Sequence, residues 1–218
     1  MDRSEVRRRS AADGERVVPL SPLGYAHAMI LGDLYLTDTR ERMCGVKRLG
    51  EGALTQLHSE DWHRVLSPGG NSAAVLVQHL AGNMESRWGA LRGGYREGVD
   101  GEAPGRNRDA EFEEGGLSGG ALLARWQEGW STFLAALDAL NPEDLTRTLT
   151  IRHETHTVLA AIQRQVAHYS GHVYQLVLLA KTLRGENWQT LSVPRGGSAA
   201  FNAEMQVRHA EQPPSSQS

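Results

Sequence analysis

Three histidines stand apart from the other six in this chain by where they fall. His168 and His172 are four residues apart in a strongly patterned segment, so on a helix their imidazoles leave the same face one turn apart. That spacing lets one helix offer two nitrogens to a single metal ion. Gln165 and Gln175 extend the same line, giving a neutral, hydrogen-bonding stripe where a solvated face would carry Lys, Glu or Arg. His79 lies, next to Gln78, in the middle of an otherwise apolar run, AAVLVQHLAGNMESRW, and an unpartnered imidazole buried there costs free energy. Three neutral imidazoles with an open position would make a reactive, zinc-like centre rather than a closed structural one. Spacing alone leaves the alternative open that all three are satisfied core histidines. Gly82, Asn83 and Ser86, small or polar on the His79 face, are expected to leave room for a ligand.

The remaining histidines read differently. His27, His58, His63 and His209 fall in polar segments and are expected at the surface, and His153 and His156 lie in a short extended stretch outside direct ligation. Cys44 is the only cysteine, which excludes an internal disulfide and a thiolate-built zinc site and is expected as a small core residue.

The elements that must carry these groups are helical. A first helix is expected from about Met29 to Leu57, with Leu31, Leu34, Met43, Val46, Leu49 and Leu54 inward and a break where Gly45, Gly50 and Gly52 fall. Met29 at its start is an alternative initiator. A second helix covers Ala73 to Trp88 with Asn71 or Ser72 capping it. Residues 93–116 carry glycine and charge without periodicity, and a connection of that length points to a functional loop. A third helix spans about Ser118 to Leu140 until Asn141-Pro142 stops it. Residues 146–157 (TRTLTIRHETHT) suit a short extended insert or hairpin, and the last and longest helix runs from about His156 to Leu183, closed by Gly185. The fold class is therefore all-α, four helices in a bundle with a short extended insert before the last. Residues 1–22 are expected as a disordered lead-in, 23–203 as the bundle domain, and 204–218 as a disordered tail.

Composition bounds the function. Lys and Arg total 23 against 26 Asp and Glu, a formal charge of −3, so bulk electrostatics does not suggest a nucleic-acid binder. No apolar run approaches a membrane span. Arg7-Arg8-Arg9 is followed by Asp13, Glu15 and Arg16 rather than an apolar segment, so a cytoplasmic protein is expected.

The stretches VLVQHLAGNMESRW, RNRDAEF and IQRQVAHYSGHVYQLVLLAKTLRGENW, with the tail PRGGSAAFN, resemble the DinB-like superfamily, and more narrowly its small branch of uncharacterised bacterial proteins. The resemblance covers about Met29 to Asn202. It implies a four-helix bundle, commonly a homodimer, holding nickel or zinc through His79, His168 and His172. It also implies a small-molecule chemistry shared with relatives that use bacillithiol or mycothiol in S-transfer, or with relatives labelled metal-dependent hydrolases. Where many relatives carry Gly-Gln after the last histidine's turn, this chain reads His172-Val173-Tyr174-Gln175, a departure that bears on the substrate pocket. Thiol S-transfer is the preferred expectation, because a metal-bound thiol is deprotonated outright and the chain then needs no cysteine of its own. Hydrolysis by a metal-bound water and metal binding without catalysis are the alternatives. Hydrolysis also calls for a carboxylate base; neither metal-bearing helix puts one in the polar stripe, Glu85 and Glu154 are the nearest in sequence, and Asp109 or Glu111 on the long loop could serve. Arg106, Arg108 and Arg195 are candidates to grip the carboxylates of a thiol cosubstrate, or are surface charges paired with Asp109 or Glu111.

Overall fold

The computed structural model describes residues 22–210. Among these the chain is mostly helical: α1 (Pro22–Leu54), α2 (Ala73–Trp88), α3 (Gly119–Ala139), α4 (Val158–Arg184) and α5 (Ser198–Ala210). One antiparallel hairpin, β1 (Thr148–Ile151) and β2 (Glu154–Thr157), precedes α4. Residues 1–21, on which the expected lead-in falls, lie outside the described residues, as do residues 211–218. No helix among the described residues is long and apolar enough to cross a membrane.

Short polar side chains start three of the helices. Ser72, Ser118 and Thr157 each accept a bond from a free backbone amide in the first turn of α2, α3 and α4, and Gly185 ends α4 with a φ of 53°. The apolar stripes of α2, α3 and α4 then meet around Trp88, Trp126, Trp130, Phe133 and Tyr169, all buried. The Gly129 backbone lies directly on Ala81, where a Cβ would stand 2.8 Å from the Ala81 Cα, so α2 and α3 cross at close range.

The first helix departs from expectation in three ways. It begins at Pro22 rather than Met29 and ends at Leu54, and it continues without interruption through Gly45, Gly50 and Gly52. Gly50 is used for contact: a Cβ there would fall 2.4 Å from the Trp126 ring, so the missing side chain lets α1 seat on α3. Its inward face differs in the first half only. Met43 and Leu54 are buried and Val46 and Leu49 pack on the core as expected, but nearer the start Gly32, Leu36 and Thr39 are buried whereas Leu31 and Leu34 are 66 % and 60 % exposed.

The C-terminal end differs too. Residues 204–210, expected to be irregular, continue α5. Ala, Glu, Met, Gln and Arg favour a helix locally, and Arg208 pairs with Glu204 one turn away. The Pro/Ser/Gln composition that suggested disorder lies beyond this helix. Cys44 is half-buried, with the Arg40 guanidinium 3.8 Å from its sulfur.

A candidate metal centre between two helices

α2 and α4 pack together, and a buried chain of hydrogen bonds fixes them beside the histidines. Trp88 Nε1 donates to the Tyr169 hydroxyl at 2.9 Å, and that hydroxyl donates to Asn83 Oδ1 at 3.0 Å. Tyr169 is fully buried, and burial pushes its hydroxyl pKa up. It therefore locks the residue next to His168 onto the helix that carries His79.

The three histidines meet. His168 Nε2 lies 3.2 Å from His79 Nε2 and 3.1 Å from His172 Nε2, and one donor atom from each residue lies within 4.8 Å of the others. Two nitrogens bound tetrahedrally at about 2.0–2.1 Å from one zinc ion sit about 3.3 Å apart, close to the spacing found.

What faces the opposite nitrogens decides the chemistry. His79 Nδ1 is 2.9 Å from Glu111 Oε2, His168 Nδ1 is 3.2 Å from Gln165 Oε1, and His172 Nδ1 is 2.9 Å from Gln175 Oε1. All three partners accept, so each ring carries its proton on Nδ1 and turns a bare Nε2 lone pair towards the same point. Lone pairs gathered in this way repel one another unless a cation lies among them, and the donor set fits a divalent metal ion. Burial first, then the repulsion that a second protonated ring (His172 or His79) and the Arg164 and Arg106 guanidiniums would exert on a charged His168, holds its pKa down to about 3. Burial also lowers that of His172, opposed by the Gln175 bond and aided by His79. Neutral imidazole, the form that ligates, is thus the favoured state of both.

The long loop supplies the support. Glu111 stands on a single turn of 3-10 helix (Asp109–Phe112), and its two oxygens take 2.7 and 2.8 Å bonds from Arg106. Burial raises the Glu111 pKa, but the bonds from His79 and Arg106 outweigh it and leave a stable carboxylate. Phe112 covers the His79 ring at 4.5 Å, and the Arg108 guanidinium lies 4.7 Å above Phe112. The Arg87 guanidinium donates to the Gly101 carbonyl and the Ala103 amide donates to the Ser86 hydroxyl, which holds the loop's first half on α2.

The His79 face is shared between the loop and open space: Asn83 lines a recess with His79 and His168, and Gly82 and Ser86 line a second cavity beside Glu111. The space beside Gly82 is occupied by Glu111, Asn83 is bonded to Tyr169, and Ser86 holds the loop.

The arginines picked out from sequence separate. Arg106 has a side chain only 6 % exposed and acts through Glu111. Arg108 lines a recess beside His79 and His168, whereas Arg195 is exposed between α4 and α5 and does not line it. Arg87, Arg152 and Arg164, which do line it, went unnoticed in the sequence. A spacing signal existed: Arg87 falls two turns after His79 on one face of α2, and Arg164 one turn before His168 on α4.

None of the other described histidines joins the cluster. His63 is more than a surface group, since its ring contacts Glu114 Oε2 at 2.7 Å and the Leu117 carbonyl at 3.0 Å.

The profile of a family described as "Protein of unknown function (DUF1572)" matches residues 31–197. The chain belongs to that family. The matched span contains all three histidines and the loop that supports them. No curated protein and no solved structure matches the chain.

Proposed function

We propose that this DUF1572 chain is a divalent-metal-dependent enzyme that transfers a low-molecular-weight thiol onto small electrophiles. α1 to α4 would form the four-helix bundle of the DinB-like proteins, to which this family is related. The observation that carries the reading is the meeting of three Nε2 lone pairs, each held by an acceptor behind its ring.

A nickel or zinc ion held by His79, His168 and His172 would supply Lewis acidity, keeping a thiol deprotonated near neutral pH. The chain's own contribution is orientation. Glu111, Gln165 and Gln175 fix the rings, Arg106 fixes Glu111, and Phe112 covers one ring face from water. In the reaction the thiolate sulfur forms a bond to the electrophilic carbon. The leaving group departs with its electron pair, and the thiol proton passes to solvent.

Hydrolysis is less well supported because it calls for a free carboxylate base. Glu111 has both oxygens engaged, and the Asp109 side chain is 96 % exposed. The expected partner is a second copy of the chain. Leu31 and Leu34 on α1 and Tyr174 and Leu178 on α4 are large, exposed apolar groups on two helices that pack together.

The test is a set of assays on zinc- or nickel-loaded protein. Conjugation of an electrophile that requires both the metal and bacillithiol or a similar thiol supports transfer. Turnover of esters or amides without thiol would replace it with hydrolysis, and inactivity in both with stoichiometric metal would leave a binding protein.

A further inference from the structure

Beside the histidines lies a recess of about 180 Å³ whose walls include His79, His168 and four arginines, Arg87, Arg108, Arg152 and Arg164. The arginines arrive from four separate places: α2, the long loop, the hairpin tip and α4. Convergence of this kind is not explained by pairing within the protein. Glu102 is shared, 3.5 Å from Arg87 and 3.8 Å from both Arg106 and Arg152. The nearest carboxylate to Arg108 is Asp109 at 3.9 Å, itself turned to solvent, and Glu111 is engaged by Arg106. Arg164 makes no ion pair among the described residues.

Arg87 is the clearest sign of a missing partner. Its side chain is 3 % exposed, one Nη donates to the Gly101 carbonyl at 2.5 Å, and its Nε has no hydrogen-bond partner among the described residues. A buried guanidinium donor left unpaired is costly, and like charges crowded around it add to that cost.

The hairpin tip carries a second cost at the same place. Arg152 and His153 form its two-residue turn with φ of 53° and 65°, left-handed positions usually filled by Asn and Gly. Glycine or asparagine there would relieve the backbone and remove the guanidinium from the recess.

We propose that this recess binds the dianionic end of the substrate, a phosphate or a pair of carboxylates, next to the histidine centre. The volume is below the roughly 300–1,000 Å³ of a pocket for a whole drug-sized molecule, so it suits an anionic end with the reacting part lying over the histidines. Planar guanidinium forks match both oxyanions, and four of them around one recess select for charge. This rests on the reading of the histidines as a reactive centre.

The test titrates metal-free and zinc-loaded full-length protein with inorganic phosphate, with succinate and with chloride, by calorimetry in about 0.1 M salt. Phosphate or succinate is expected to bind with Kd below about 1 mM, and chloride not measurably. The preferred probe assigns the recess to phosphate or to carboxylates. Arg164→Ala, and separately the double change Arg152→Asn with His153→Gly, are each expected to weaken binding at least about tenfold. The double change favours the turn, so its loss of binding cannot come from unfolding.

Affinity weaker than about 10 mM for both dianions, or unchanged in both variants, would overturn the proposal. Zinc content is measured on the same samples. Stoichiometric zinc without anion binding rejects the recess alone, and anion binding without zinc uptake rejects the metal centre and keeps the recess.

Discussion

Glu111 reaches from a loop to place Oε2 2.9 Å from His79 Nδ1, 32 residues earlier in the chain, while Arg106 grips the same carboxylate. Two jobs are combined in one side chain: it sets the proton on the far side of the ring, and it neutralises a buried guanidinium. The two can be separated. Glu111→Gln keeps an acceptor for His79 but removes the charge, and is expected to weaken zinc binding about 10- to 100-fold in a chelator competition. Glu111→Ala also removes both close bonds of Arg106, 6 % exposed, and leaves it only Glu102 at 3.8 Å, so it should destabilise the fold by about 3 kcal/mol in urea unfolding.

Gly82 gives an independent test of that carboxylate's position. A Cβ at Gly82 would fall 2.6 Å from Glu111 Oε1, so Gly82→Ala must displace the loop carboxylate from its bonds. Alanine also suits the middle of α2 better than glycine by about 1 kcal/mol. The expected outcome is a chain that stays folded but takes up zinc less tightly. Unchanged zinc affinity would show that the Glu111 contact does not support the site.

Much of this arrangement was legible where one element carried the whole signal. The apolar stripes of α3 and α4 are dense enough to fix both helices, and the His168–His172 spacing with Gln165 and Gln175 lies within a single helix. The role of Glu111 was not legible, because it arises only when an aperiodic loop folds back over α2. The arginine recess was legible only in part: Arg87 and Arg164 stand at helical spacing from the histidines, but Arg108 and Arg152 come from a loop and a turn with no period. α1 was misread for the opposite reason. Its pattern is weak, and Gly50 and Gly52, which break a helix by propensity, here give room for Trp126 and Leu191.

Tyr169→Phe removes one oxygen from the packed core. It leaves Trp88 Nε1 without its acceptor and Asn83 Oδ1 without its donor, in surroundings that exclude water. A loss of about 1–3 kcal/mol of stability is expected by chemical denaturation. Zinc stoichiometry should survive, because none of the three ring-orienting bonds involves the hydroxyl.

His63 gives a pH-dependent prediction away from the metal centre. Its two ring nitrogens face two acceptors, Glu114 Oε2 and the Leu117 carbonyl, and only the imidazolium can donate to both. The Glu114 bond raises its pKa above the ordinary 6.5; burial, the next largest effect, opposes it, and the Leu117 bond and the Glu114 charge add to the rise. A raised value means that the charged ring stabilises the fold fully below the unfolded pKa and that this contribution fades as pH rises through the folded one. With a side chain 36 % exposed, solvent screens the pair, so the effect on total stability is small. The site-specific reading is an NMR titration of the His63 ring. Its midpoint should lie above about 6.5 and fall back in Glu114→Gln, with the amides around Leu117 shifting over the same pH range. A midpoint at or below the ordinary value would mean that the ring binds one acceptor only, and that the end of the long loop is held by other contacts.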